Sequence, residues 1–298
     1  MNTPLSGFEH PSGDGFWAYV LERYQIAHRR YVLQIKSPEE LTADTVLRKY
    51  HFCNVKREWD YGSRWLMQRG AVEFHGVVET VWGCVLYRLL NAPTIFQELE
   101  QLCGTGPIPT LDAYLQNTAR IESAVLRLSR IGNPAYYTLT SRTRGSRRER
   151  LVSVLRTFAA EIPLMAESVL HASDMYSACR TLSRLPSIGP FAAFQVARDL
   201  VLLRAASWNE DYWCEVGPGA IPGLRYIFGR VSQSGLVEQV RTLQLSKPEF
   251  ALSVPFLNLC DMEHNVCEYR KFVNVRSGEG HRRYYRPHQD KLLPPSLE

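Results

Sequence analysis

Lysine is scarce in this chain: 6 lysines stand against 29 arginines in 298 residues, with a formal net charge of +5. Arginine is the better partner for bidentate phosphate contacts, although GC-rich coding raises it too, so the bias points to phosphate ligands only weakly. Long apolar runs are also missing. None approaches the ~20 residues that span a bilayer, and the first residues, MNTPLSGFEHPSGDG, lack the basic region and apolar core of a secretory signal. No membrane partner is expected. Seven cysteines, an odd number without a Cys-x-x-Cys pair, fit reduced thiols and a cytoplasmic setting.

Other absences narrow the chemistry. No cysteine follows Cys267, so Cys260 and Cys267 cannot begin a four-cysteine iron–sulfur loop. No Cys/His grouping at structural-zinc spacing is visible, and no metal ligand is assigned. A Gly-rich loop ending in Lys-Ser/Thr is absent, which excludes a phosphate-loop kinase, and there is no Gly-x-Ser-x-Gly elbow. Strand-like alternation is rare.

What is present is helical periodicity, and the expected class is all-α. Apolar residues recur at helical spacing over 15–29, 59–68, 77–90, 111–128, 150–169, 175–182, 190–203, 219–228 and 255–272. The length suits one large unit with approximate lobes 1–145, 146–245 and 246–298, the last returning to the first. Between them lies a basic stretch, residues 141–150, with five arginines in ten positions. It reads equally as a mobile nucleic-acid-tracking loop or a solvated linker. From His281 onward arginines and tyrosines interleave, suited to phosphate contact and base stacking; a docked tail carries the same pattern.

Four motifs carry candidate chemistry. In Leu185–Asp199 (LPSIGPFAAFQVARD) a turn at Ser187, Ile188 and Gly189 opens a helix at Pro190, with unpaired amides that can face an anion. An ordinary packing corner would look the same. A helix starting near Arg57 would put Arg57, Asp60 and Arg64 on one face, as a pyrophosphate site or a salt-bridge ladder, with Arg88 and Asn91 as a smaller cluster. Residues 209–223 combine acidic groups, Asp211 among them, with a Gly217-Pro218-Gly219 turn. Finally, Asp261, His264, Glu268 and Lys271 fall at i, i+3, i+7 and i+10 on one side of a helix, flanked by Cys260 and Cys267 with Glu263 between. That stripe is either solvated surface or a set of general base, proton carrier and ammonium.

Taken in order, the segments YHFCNVKREWDYGSRW (50–65), RLLN (88–91), LPSIGPFAAFQVARD (185–199), WCEVGPGAIPG (213–223) and DMEHNVCEYRK (261–271) resemble the α-glutamyl/putrescinyl thymine pyrophosphorylases, or amino acid:DNA transferases, of bacteriophages with hypermodified thymine. The resemblance covers roughly residues 30–285. It implies a DNA-glycosylase-like helical fold with a helix-hairpin-helix motif. It also implies an enzyme acting after a DNA kinase has converted 5-hydroxymethyluracil in double-stranded phage DNA to its pyrophosphate ester. Glycine, glutamate or putrescine then displaces pyrophosphate from the exocyclic carbon of the flipped base.

The roles implied are these. Ser187, Ile188, Gly189, Phe191, Gly217 and Gly219 contact DNA. Asn54, Arg57, Asp60, Arg64, Arg88, Asn91 and Lys271 hold the substrate and its pyrophosphate. Glu263, His264, Glu268, Asp211 and Cys267 form the catalytic set, in which Cys267 would form a transient thioether. Magnesium on the pyrophosphate is compatible with this, without a dedicated site. Two rival readings stand beside it: a monofunctional glycosylase using Asp211, and a non-enzymatic helical DNA-binding module. Phe191 holds the position that is lysine in glycosylases that also nick, which argues against lyase chemistry.

Overall fold

The structure is a computed structural model that describes residues 12–106, 108–132, 145–280 and 284. Residues 141–144 of the basic stretch, and the tail from His281 onward except Tyr284, lie outside the described residues. The helices run in the order α1 (Gly13–Tyr31), α2 (Pro38–Leu41), α3 (Thr45–Lys49), α4 (Tyr61–Glu73) and α5 (Val77–Leu90). Next come α6 (Pro93–Cys103), α7 (Leu111–Gln116), α8 (Thr118–Arg127), α9 (Arg147–Leu170) and α10 (Met175–Leu182). α11 (Pro190–Leu202), α12 (Ala220–Phe228), α13 (Leu236–Leu245) and α14 (Leu259–Arg276) complete the chain. Among the described residues there is no strand, only one isolated bridge between Tyr50 and Tyr284. The all-α class is therefore correct. No described helix is long and apolar enough to cross a membrane.

The chain divides into two units. The first takes the residues up to Tyr61 and from Glu210 onward, and the second is Gly62–Asn209. Their bounds fall at 61/62 and 209/210.

In the first unit α14 is the central element, packing on α12, α13, α1 and α3. Its start is fixed by Asn258, whose side chain accepts from the Asp261 amide at 2.8 Å, one of the four donors that a helix start leaves open. Aromatic side chains from α1 meet it edge-on or tilted: Phe16 lies 5.6 Å from Tyr269 and Tyr19 lies 4.7 Å from Phe272. Such pairs add about 0.5–1.5 kcal/mol each beyond burial. Against α12 the approach is closer still. A Cβ on Gly223 would come within 2.5 Å of the Val266 carbonyl oxygen, so only glycine permits this crossing.

In the second unit α5 is buried continuously from Val81 to Leu90 and packs against α9 and α11. Its end is set by Asn91, left-handed at φ 48°. The helix expected over 111–128 is two, α7 and α8. Asn117 breaks it because its side chain and that of Thr118 turn back to the carbonyls of Ala113 and Tyr114, at 3.0 and 2.8 Å. The end of the basic stretch is also not loop: Ser146 and Glu149 form a capping box that starts α9 at Arg147.

One ion pair in this unit has a pH signature. Arg156 donates to both oxygens of Glu122, at 2.7 and 2.6 Å, and Tyr114 donates to the same carboxylate. Arg156 chiefly holds the Glu122 carboxyl below its usual range. A depressed carboxylate stabilises the fold above its unfolded pKa, about 4.3, and the contribution fades as pH falls through the lower folded value. Arg156 is largely exposed, so solvent screening keeps the contribution small. Urea unfolding should show Glu122→Gln below wild type at neutral pH, with the gap closing in acid; a gap that widens in acid contradicts the assignment.

Candidate functional site

The polar stripe of α14 is neither solvated nor open. It is laced to the loop that precedes α4. Residues 53, 55 and 57 run antiparallel to the helix, and each offers a backbone group to a helix side chain. The Cys53 amide donates to Glu268 at 3.1 Å, Asn265 donates to the Val55 carbonyl at 2.7 Å, and the Arg57 amide donates to Asp261 at 3.1 Å. The period of two in the loop thus matches steps of three and four residues along the helix. Arg23 of α1 clamps the assembly, donating to Asn265 at 2.6 Å and to the Cys53 carbonyl.

The loop closes on itself through Asp60, whose Oδ1 accepts from the Asn54 backbone amide at 2.8 Å and its side chain at 3.2 Å. This closure overturns the expectation of one helix carrying Arg57, Asp60 and Arg64. Residues Arg57–Trp59 form a single 3-10 turn and Asp60 is extended at ψ 140°, so α4 starts only at Tyr61. Arg57 and Asp60 nevertheless meet, Nη1 to Oδ2, at 3.5 Å.

Around Asp60 a mixed cluster forms. His264 Nε2 lies 3.7 Å from Asp60 Oδ2, and Lys271 pairs with Glu268 at 2.5 Å. Arg57, Asp60, His264 and Lys271 each keep a minor part of their side chains accessible, whereas Glu268 is fully buried. Burial pushes the Asp60 carboxyl above its usual range, against the pull of Arg57 and the Asn54 amide. It also raises the Cys53 thiol strongly, helped by Glu268 and Asp60. Cys53, Asp60 and His264 place their ligand atoms within 4.8 Å of one another. No sequence spacing could have shown this grouping, because His264 stands more than two hundred residues beyond Cys53 and Asp60.

Other expected site residues have structural work. Glu263 is buried and accepts from the Gly217 amide at 3.0 Å, so that amide is turned to α14 and not to DNA. Gly219 is glycine because a Cβ would fall 2.4 Å from Cys267 Sγ. Burial raises the Cys267 thiol to about 11, opposed by Lys271; a thiol protonated at neutral pH is a poor nucleophile. Asp211 accepts from the Leu259 amide at 3.1 Å and from Gln244 at 2.9 Å, tying the start of α14 to α13.

In the second unit, Arg88 and Asp199 form a doubly hydrogen-bonded, fully buried pair, and Arg88 also donates to Asn91 at 3.1 Å. This arrangement supports a role in the core in place of pyrophosphate binding. Arg64 is buried in the same unit. The α10–α11 turn has the expected Pro190 start, but its left-handed residue is Ser187 at φ 66°, and Gly189 is extended. Ile188 is buried, Phe191 is half-buried and packs near Phe194, and Gly189 and Pro190 are exposed.

Against this geometry, a family model described as "5-hmdU DNA kinase, helical domain" matches residues 10–282. The chain belongs to that family. A relative, the 5-hmdU DNA kinase of Bacillus phage SP10, is 22% identical over an alignment of 298 positions that covers 89% of this chain and 45% of the relative. This chain thus spans about half the length of that curated relative. No solved structure matches. The family is named for a kinase and not for the transferases that the sequence resembles; both descriptions concern hydroxymethylated uracil in DNA.

Proposed function

We propose that this chain acts on 5-hydroxymethyluracil in phage DNA, and that its step is amine transfer to the pyrophosphorylated base. The observation that carries the reading is the packing of α14 on the 53–57 loop, which sets the buried Glu268 carboxylate against Lys271 and gathers Arg57 and His264 at Asp60, the three basic side chains keeping a minor part of their surface accessible. The incoming amine forms the new C–N bond at the exocyclic carbon as the C–O bond to pyrophosphate breaks. Arg57, oriented by Asp60, and Lys271 hold the charge that leaves on pyrophosphate. The surplus amine proton passes to Glu268. The exposed Gly189–Pro190 turn of the second unit is assigned to the DNA backbone.

Family membership supports the substrate. A second reading, a DNA-binding module serving a kinase, is favoured by the name of the phage SP10 relative. Mass spectrometry of nucleosides separates the readings. Hydroxymethyluracil DNA is treated with a DNA kinase and ATP, then with this protein and a mixture of glycine, glutamate and putrescine. The expected product is a nucleoside heavier than hydroxymethyldeoxyuridine by one amine minus water. Free modified base with abasic DNA would make the protein a glycosylase, and DNA binding without either product would leave the module.

A further inference from the structure

We infer that Cys53, Asp60 and His264 form a binding site for one zinc-class divalent ion in the first unit. The donors come from three places: the loop start, the loop end and the second turn of α14. Their ligand atoms gather within 4.8 Å. Zinc bonds of about 2.0–2.3 Å in tetrahedral geometry set donors about 3.3–3.7 Å apart. His264 Nε2 and Asp60 Oδ2 already stand at 3.7 Å, and the Cys53 thiol lies within 4.8 Å of both.

The oxygen is prepared for an ion. Oδ2 of Asp60 is buried and accepts no hydrogen bond among the described residues, while Oδ1 is occupied by Asn54. An Arg57 guanidinium at 3.5 Å and an imidazole at 3.7 Å are both beyond hydrogen-bond reach of Oδ2. The carboxylate's second oxygen is thus held in place with no hydrogen bond spent on it and only these longer charge contacts beside it, the outer-shell support that metal-bound carboxylates have. One sulfur, one nitrogen and one oxygen donor suit zinc or cobalt better than magnesium, which takes oxygen ligands. Three protein ligands leave a fourth position for water or a ligand oxygen, as in catalytic zinc sites. The inference stands whether or not the transferase reading holds.

The test uses the full chain with its thiols reduced. Titration with Co2+ should saturate at one equivalent, giving a thiolate-to-cobalt charge-transfer band. That band should vanish in Cys53→Ser and persist in Cys267→Ser. Asp60→Asn and His264→Ala should weaken binding more than about 100-fold, beyond the usual cost of losing an outer-shell partner. Because a variant can fail by misfolding, the zinc-loaded wild type is also read by X-ray absorption, which should find one sulfur among nitrogen and oxygen neighbours. Failure of wild type to bind cobalt, a zinc shell without sulfur, or a band that survives Cys53→Ser overturns the site.

Discussion

Replacing Asp199 by alanine should cost the second unit about 3–5 kcal/mol, the usual consequence of leaving one partner of a buried ion pair alone. Arg88 and Asp199 are about 1% and 0% exposed, and the carboxylate takes two of the guanidinium's donors. Without it, the neutral Asn91 side chain is a weaker acceptor for a full charge than the carboxylate it would replace. Hydrogen exchange is the suitable readout, since α5 and α11 carry the pair: protection of their amides should fall by more than about 100-fold, following the free-energy loss. The double variant Arg88→Met/Asp199→Leu should recover most of the loss, because an apolar pair avoids the desolvation that the ions incur. Unchanged protection in Asp199→Ala would mean that the pair carries little of the fold, and Arg88 would return as a ligand candidate.

Glu268→Gln should lower amine transfer by about 10²–10⁴-fold, the range for a lost acid–base group, while DNA affinity stays within about twofold. Glutamine keeps the shape and can still accept the Cys53 amide, so the loop should remain docked on α14. What disappears is the charge that pairs Lys271 and receives the amine proton. Turnover and DNA binding are measured on the same preparation. Equal loss of both would sink the assignment to Glu268 and point to a structural tie. The comparison is informative because Glu268 itself is buried, so DNA affinity need not follow its loss.

Much of the secondary structure was legible because helical periodicity is strong: α5 and α10 have the bounds that their apolar spacing predicts, and α11 differs by one residue. The short α2 and α3, and also α6 and α13, escaped that reading. In α6 the signals were present, Pro93 at the start and left-handed Gly104 at the end. The Asp261–His264–Glu268–Lys271 stripe was legible as a stripe, but its partner was not. Periodicity describes a helix against an apolar or aqueous surround, and here the surround is an extended loop offering backbone groups. Burial of Glu263 and the closeness of Gly219 to Cys267 escaped for the same reason. Both depend on which turn meets α14, and a turn's partner is not written in its own composition. The Arg57–Asp60 pair was read correctly as neighbours through the wrong local geometry.

The lacing of the 53–57 loop onto α14 has a consequence for synthesis. A ribosome delivers the loop some two hundred residues before the helix side chains that satisfy it, and the whole Gly62–Asn209 unit emerges in between. Domains tend to fold as units as they emerge, so the middle unit can be finished while the Cys53 and Arg57 amides still belong to water. The grouping of Cys53, Asp60 and His264 therefore forms only after the second unit has emerged. A ribosome-stalled chain ending before Leu259 should have its second unit ordered and its proposed chemistry wholly absent.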